Sequence, residues 1–152
     1  MQTFLPVSDF AESARILDDA RLGKQRVEAY QIIRTLDGIT KGWRNHPAVR
    51  MWRGYEAALI EYTLVVCAEW DRRGYADTVR GKLEVHLRQT GGPVLQPPWL
   101  GHEPLHASHR SNLLRKEPDY YARFGWREPP DLPYVWPVPK DSAGESAADA
   151  TG

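Results

Sequence analysis

The chain has 152 residues, with 20 Lys and Arg against 20 Asp and Glu, and so carries no net charge at neutral pH. This length is enough for one domain with its own core, so neither disulfides nor a structural metal is required. There is no run of 18 apolar residues and no signal-peptide pattern, and the single cysteine, Cys67, has apolar neighbours. These features predict a cytoplasmic protein with a buried structural thiol.

The neutral total conceals an uneven distribution of charge. Residues 1–126 hold 18 basic and 15 acidic residues, whereas residues 127–152 hold 2 and 5. Between Arg21 and Arg53 there are eight basic residues and two acidic ones, which gives this stretch a charge of +6. Such local positive charge can bind a polyanion without a high isoelectric point, although a charged helix face is more often simply solvated.

The first predicted elements are a short anchored segment and a short helix. Phe4 and Leu5 are apolar and would hold the start of the chain against the body. Ser8 or Asp9 can cap a helix that ends near Asp18, with Glu12 completing a capping box after Asp9. We therefore expect the α-amino group to be positioned by its neighbours.

A second helix is predicted to begin between Asp19 and Lys24 and to end at Leu36, before a glycine. Its inward positions would be Val27, Tyr30, Ile33 and Leu36 or their neighbours. The backbone N–H groups at its start, beside Lys24 and Arg26, would suit a phosphate. The alternative is an exposed basic first turn with no ligand.

The longest pattern runs from Pro47 to Arg73 without another proline. Pro47 suits the first helical position, apolar residues recur at steps of three and four, and Gly74 follows two arginines. A single helix over 47–73 would be about 40 Å long at 1.5 Å per residue. We expect the other elements to pack along it.

Weaker helical patterns follow over 79–89 and over 105–116. His102, His106 and His109 would share one helix face, which is a spacing that could bind zinc. No cysteine or carboxylate pair completes the ligand set, and Arg110 would repel a cation. Polar contacts of these histidines with a ligand or with the long helix are the favoured interpretation.

Together these patterns predict an all-α fold, a compact single-domain bundle around one long central helix, with an extended proline-rich C-terminal segment. The helical domain would cover residues 1–126 and end in an aromatic turn. A proline-rich extension would follow over 127–139, with Tyr134 and Trp136 able to pack back, and a disordered acidic tail over 140–152.

The order of these elements resembles the pyrimidine-dimer DNA glycosylase family of the phage endonuclease V type. Residues 51–78, which end Arg-Arg-Gly-Tyr-Ala-Asp-Thr, resemble the central helix of that family and its exit. The pairs His-Glu at 102–103 and Ala-Ser at 107–108, with the aromatic stretch 118–125, resemble its last helix and C-terminal turn. Residues 22–27 are similar, more loosely, to its basic catalytic segment, so the resemblance covers about residues 1–126.

The resemblance implies a small all-α enzyme of DNA repair that extrudes a nucleotide opposite the damage. The N-terminal α-amine would attack C1′ of the sugar to form an imine, and a glutamate would assist proton transfer and strand cleavage. α-Amines have pKa values near 8, so an appreciable fraction is nucleophilic at neutral pH.

Two features depart from the family pattern. Gln2 is bulky and should prevent removal of Met1, which would make the amine of Met1 the nucleophile. The catalytic Arg-Glu pair of the family has no exact match, because Glu28 lies two residues after Arg26 and would face about 200° away on a helix. Glu28 either acts from a shifted register or the carboxylate role is lost, with Asp18 and Asp19 as less favoured substitutes.

The predicted function is a DNA repair hydrolase, a glycosylase with abasic-site lyase activity on pyrimidine dimers or a related lesion. The alternatives are a non-catalytic DNA-binding protein on the same scaffold and a helical interaction module. We expect a monomer that binds double-stranded DNA containing a lesion or abasic site, with no cofactor, metal or membrane. The predicted catalytic residues are Met1, Gln2 and Glu28, and the predicted DNA-binding residues are Arg21, Lys24, Gln25, Arg26, Arg44, Asn45, His46, His109 and Arg110.

Overall fold

The computed structural model describes residues 1–90 and 93–138, and within these ranges the secondary structure is helical, with no strand. The prediction of an all-α fold is therefore confirmed. The helices are α1 (Phe10–Ile16), α2 (Asp19–Leu36), α3 (Pro47–Arg50), α4 (Glu56–Arg72), α5 (Glu84–Gln89), α6 (Glu103–Lys116) and α7 (Pro118–Tyr121), with short 3-10 turns at Arg80–Leu83 and Ala122–Phe124.

The first two helices begin close to where the sequence predicts. Asp9 caps α1 by accepting the Glu12 backbone N–H at 2.8 Å. The buried residues of α2 include Ile33, as predicted, but Val27 is 46% exposed. The inward stripe passes instead through Leu22, Ala29 and Ile32.

The single long helix predicted over 47–73 is wrong, because the chain turns between α3 and α4. Gly54 has a φ of +88°, which L-residues with a side chain rarely adopt, and its N–H donates to Glu56 Oε1 at 3.1 Å. The apolar pattern continues through the break since Met51 and Trp52 are buried by the turn itself. The spacing of the apolar residues therefore did not reveal the turn between α3 and α4.

The core lies between α2 and α4, which pack along each other, with α1 against α4. Trp52 and Tyr62 are fully buried and are among its largest side chains. Cys67 is also fully buried, as predicted, and burial raises the pKa of its thiol to about 12. Such a thiol stays protonated and unreactive at neutral pH.

Residues 127–138 lie extended along α6 rather than away from the body. Ser111 Oγ accepts the Leu132 N–H at 3.0 Å, and Ser108 Oγ accepts the Val135 N–H at 3.1 Å. Tyr134 is buried and its ring contacts Phe4. The predicted tail over 140–152 lies outside the described residues, as does residue 139.

Candidate functional site

The first residues of the chain are held in place by side chains that arrive from several helices. Gln25 in α2 accepts the Phe4 N–H and donates to the Gln2 carbonyl, each at 2.8 Å. Tyr62 in α4 donates to the Phe4 carbonyl at 2.8 Å, and Trp52 donates to Thr3 Oγ1 at 3.0 Å. This extended segment has no strand partner among the described residues, so these side chains replace a sheet ladder and fix its path.

Two histidines of α6 hold the next residue of the segment. His109 Nδ1 accepts the Leu5 N–H at 2.9 Å, and His106 Nδ1 lies 2.7 Å from the Leu5 carbonyl oxygen. His106 Nε2 accepts the Gly101 N–H at 2.9 Å, so its hydrogen is on Nδ1 and is donated to Leu5. Burial, with smaller contributions from His106 and Arg110, lowers the pKa of His109 to about 3, so the ring is neutral.

These contacts change the interpretation of His109 and Arg110, which the sequence placed on the DNA-binding face. His109 is fully buried, and Arg110 binds Glu128 at 2.8 Å and the Pro6 carbonyl at 2.7 Å. Both side chains are used within the protein, so we remove them from the proposed face. Among the described residues there is also no group of three side chains able to hold a metal ion.

The anchored segment, residues 1–7, begins at a pocket that contains two predicted catalytic groups, the α-amino group of Met1 and the carboxylate of Glu28. Met1, Gln2 and Glu28 line it together, and the Gln2 N–H donates to Glu28 Oε2 at 3.4 Å. This bond places a carboxylate one residue from the α-amino group. The pocket has a volume of about 120 Å³ and is also lined by Phe4 and Gln25. Gln25, 1% exposed, is therefore an inner-wall and anchoring residue.

Three cationic side chains complete the wall of this pocket, namely Arg21, Lys24 and Lys116. Arg21 is oriented by Asp18 at 3.1 Å, and Asp18 in turn accepts a hydrogen bond from the hydroxyl of Tyr121. Burial and the neighbouring Arg21 lower the pKa of Lys116, while Glu28 acts in the opposite direction. One carboxylate among three side-chain cations makes the pocket suited to an anion.

Lys116 was missed by the sequence analysis. It closes α6, and a basic residue in the last turn of a helix is ordinarily explained by the helix dipole. It reaches the pocket because α6 packs beside the start of the chain, a contact between residues more than 100 positions apart. No local sequence signal could have indicated this.

Arg26 lies on the opposite side of α2 from the pocket. It pairs with Asp77 at 2.7 Å and its guanidinium lies 4.6 Å from the centre of a Trp70 ring. Burial acts to raise the pKa of Asp77, but the hydrogen bonds from Arg26 and two backbone N–H groups hold it below its usual range. Arg26 and Glu28 thus face apart as predicted, and Arg26 belongs to a buried ion pair.

The loop before α3 is not part of the pocket wall. Arg44 and Asn45 are exposed, whereas His46 is 5% exposed and caps α3 by accepting the Ala48 N–H at 3.0 Å. The ring of His46 also contacts Trp136 at 5.8 Å. Trp136 of the C-terminal segment therefore packs against this loop.

The two substitute carboxylates are engaged elsewhere. Asp18 holds Arg21 and Tyr121, and Asp19 accepts from Tyr75 at 2.7 Å and from Arg73 at 2.9 Å. The hydrogen bonds from Tyr75 and Arg73 lower the pKa of Asp19. Glu28 is the one of these three candidates that lines the pocket.

Comparison with known protein families gives a match over the first part of the chain. Residues 1–82, more than half of the chain, match the family model described as pyrimidine dimer DNA glycosylase. The matched region contains the anchored segment, Glu28, Arg21 and Lys24, while Lys116 lies outside it. No curated protein and no solved structure matches the chain. None of the helices in the described ranges is long and apolar enough to cross a membrane.

Proposed function

Because the chain belongs to the pyrimidine dimer DNA glycosylase family, we propose that it removes a damaged base from DNA and then cleaves the strand as an abasic-site lyase. The proposed nucleophile is the α-amine of Met1, and Glu28 is the proposed carboxylate. The substrate would be double-stranded DNA with a pyrimidine dimer or an abasic site.

The observation that carries this proposal is the shared pocket of the α-amino group and Glu28. Their separation along the chain is 27 residues, and the hydrogen bond from Gln2 to Glu28 brings them together. A nucleophile and a group that moves protons must both reach one reacting centre. The side-chain contacts along residues 2–7 support this role, because a terminus without anchors would sample many positions.

The proposed chemistry has four steps. The neutral amine attacks C1′, the bond from C1′ to the base breaks with its electron pair going to the base, and one of the two amine protons passes to the base. The second amine proton then passes to O4′ as the bond from C1′ to O4′ breaks, which opens the sugar ring and leaves an imine between C1′ and the amine nitrogen. Glu28 assists removal of a proton from C2′, and the 3′ phosphate leaves as the strand breaks. Water finally hydrolyses the imine and returns the amine.

The cations of the pocket would hold the DNA during these steps. Arg21, Lys24 and Lys116 can contact the phosphates that flank the reacting sugar. Such contacts carry no sequence information, which suits an enzyme that recognises damage rather than sequence.

Trapping with borohydride tests the amine. Protein with a free N-terminus, verified by intact mass to begin at Met1, is incubated with duplex DNA containing one abasic site and then reduced. We expect a covalent complex that maps to residue 1. Acetylating the terminus, or adding an uncleaved N-terminal tag, should abolish the complex while duplex binding is retained, and a C-terminal tag is the matched control.

Two lysines of the pocket provide the competing nucleophiles. Lys24→Arg and Lys116→Arg keep the positive charge and remove the primary amine, so both variants should still be trapped. A complex that disappears with either substitution and survives N-terminal acetylation would refute the Met1 mechanism. If no form of the protein is trapped although duplex binding remains, the alternative of a non-catalytic DNA-binding protein replaces the proposal.

A further inference from the structure

Trp43 is an exposed aromatic residue in the connection between α2 and α3. It is 53% exposed, which is unusual for the largest apolar side chain. Its neighbours along the chain, Lys41, Gly42, Arg44 and Asn45, are also exposed, and two of them are cations. An indole with cations on both sides is a feature without a role in the pocket described above.

The indole is supported from behind rather than left loose. Its ring meets His46 edge-on at 5.7 Å, and His46 meets Trp136 edge-on at 5.8 Å. His46 is itself fixed by the hydrogen bond to the first turn of α3. The contact orients Trp43 without covering it, so little conformational freedom would be lost when a ligand stacks on it.

A series of ring contacts connects Trp43 with the pocket. Beyond His46 and Trp136, Tyr134 lies 5.6 Å from Trp136 and 6.4 Å from Phe4, a pocket residue. These contacts place the rings of Trp43 and Phe4 no more than about 24 Å apart. That distance corresponds to at most about seven base-pair steps at 3.4 Å each, which is within the length of a short duplex.

We propose that Trp43 is a base-stacking residue that binds an unpaired nucleobase in the DNA held at the pocket. The inference rests on the proposed function and extends it to a second contact. An aromatic face stacks on any base, and the flanking Lys41 and Arg44 can bind the phosphates on either side of it. The two cations beside the indole favour a nucleic acid over a protein partner.

The test compares two labelled duplexes by fluorescence anisotropy, one fully paired and one with a single unpaired nucleotide. The wild-type protein should prefer the duplex with the unpaired nucleotide. Trp43→Ala should weaken binding to that duplex by about 5-fold to 150-fold, the value of one stacked base, and change binding to the paired duplex by less than about 2-fold. Trp43→Phe keeps an aromatic face and should recover most of the affinity.

Ile39→Ala is the matched control, since Ile39 is 56% exposed in the same connection but is not aromatic. It should leave both affinities unchanged. An equal loss on both duplexes in Trp43→Ala, no recovery in Trp43→Phe, or a wild-type protein without preference would each overturn the proposal. The anisotropy assay measures binding alone and does not depend on catalysis. If the protein prefers the duplex with the unpaired nucleotide but is not trapped by borohydride, the imine mechanism is refuted and the role of Trp43 is retained.

Discussion

At the scale of single residues, the site depends on side chains that bind the protein backbone as much as on side chains that line the pocket. The amide oxygen and the amide nitrogen of Gln25 both bind backbone atoms of residues 2 and 4. One ring nitrogen each of His106 and His109 binds the backbone of Leu5. In a sequence, glutamine and histidine are easily taken for ligand-binding residues, because their polarity does not show whether they bind a ligand or the protein backbone. Glu28 also accepts a backbone N–H, that of Gln2, but it lines the pocket and its carboxylate is able to move a proton.

Glu28→Gln tests the carboxylate. The amide keeps the size and can still accept the Gln2 N–H, but it cannot remove a proton, so the rate of strand cleavage should fall by about 10²-fold to 10⁴-fold. Affinity for duplex DNA should stay equal or rise slightly, since a negative charge has been removed from the pocket where we propose that phosphates bind. The measurement is single-turnover cleavage of abasic-site DNA together with anisotropy binding. Glu12→Gln, an exposed carboxylate on α1, is the control and should retain the wild-type rate.

His109→Asn tests the neutral, buried imidazole through the pH dependence of stability. With a folded pKa of about 3 against about 6.5 in the unfolded chain, the unfolded state binds the proton more strongly. The free energy of unfolding of the wild-type protein should therefore fall as pH decreases below 6.5, by at most about 1.4 kcal/mol per pH unit from this group, until pH 3 is passed.

The asparagine introduced in that variant can still accept the Leu5 N–H but does not titrate. We expect a lower overall stability and a shallower decline between about pH 6.5 and pH 4, measured by urea unfolding at several pH values. Parallel declines in the two proteins would show that His109 is not the titrating group.

At the scale of secondary-structure elements, α2 has to serve two surfaces. One side carries Glu28 and Lys24 at the pocket, and the other carries Arg26 against Trp70 and Asp77. Gly23 lies in the first turns of this helix, close to the Trp70 ring. The helix can approach α4 this closely because residue 23 has no side chain.

Gly23→Ala should therefore destabilise the protein although alanine favours helices. The new Cβ would lie 2.9 Å from the Trp70 ring, which is stacked on Tyr75 at 4.3 Å and has little room to move. The cost of such overpacking, about 1–3 kcal/mol, exceeds or offsets the gain of about 1 kcal/mol in helix propensity, so the net effect should be a loss of up to about 2 kcal/mol.

The measurement is chemical unfolding beside Gly81→Ala. A Cβ at Gly81 would have no neighbouring atom within 4 Å, so that variant should keep its stability to within about 0.5 kcal/mol or gain slightly. Equal behaviour of the two variants would contradict the close packing of α2 on Trp70.

The elements also show what the sequence could and could not predict. The cap at Asp9, the proline at the first position of α3 and the glycine after α4 are local signals, and the helix ends that they mark are confirmed. The turn at Gly54 was missed because apolar residues keep their spacing through it. A tight turn can bury the same side chains as a helix, so periodicity alone does not separate the two.

At the scale of the whole molecule, the positive charge of the Arg21–Arg53 stretch is divided between structure and surface. Arg26 is neutralised by Asp77 within the protein, whereas Arg21 and Lys24 line the pocket and are joined there by Lys116 from a distant part of the chain. The sequence could predict the excess of charge but not its division, since that depends on which face of α2 meets α4. A neutral protein thus acquires a localised cationic site.

This division determines which variants should change the salt dependence of DNA binding. Arg26→Ala would leave Asp77 buried without its partner and should lower stability rather than change the number of phosphate contacts. Lys24→Ala combined with Lys116→Ala removes two cations from the pocket wall. Each phosphate contact contributes about −0.9 to the slope of log K against log salt, so this double variant should reduce the magnitude of the slope by about 2.

The slope is measured by anisotropy titrations of one duplex at several salt concentrations, with folding checked by thermal melting. Lys82→Ala combined with Arg88→Ala removes the same charge away from the pocket and should leave the slope unchanged. A pocket double variant that binds more weakly with an unchanged slope would mean that its lysines do not contact phosphates. A reduction of equal size in both double variants would instead indicate that DNA responds to the total charge of the protein, and the pocket would lose its assignment as the place where the backbone is held.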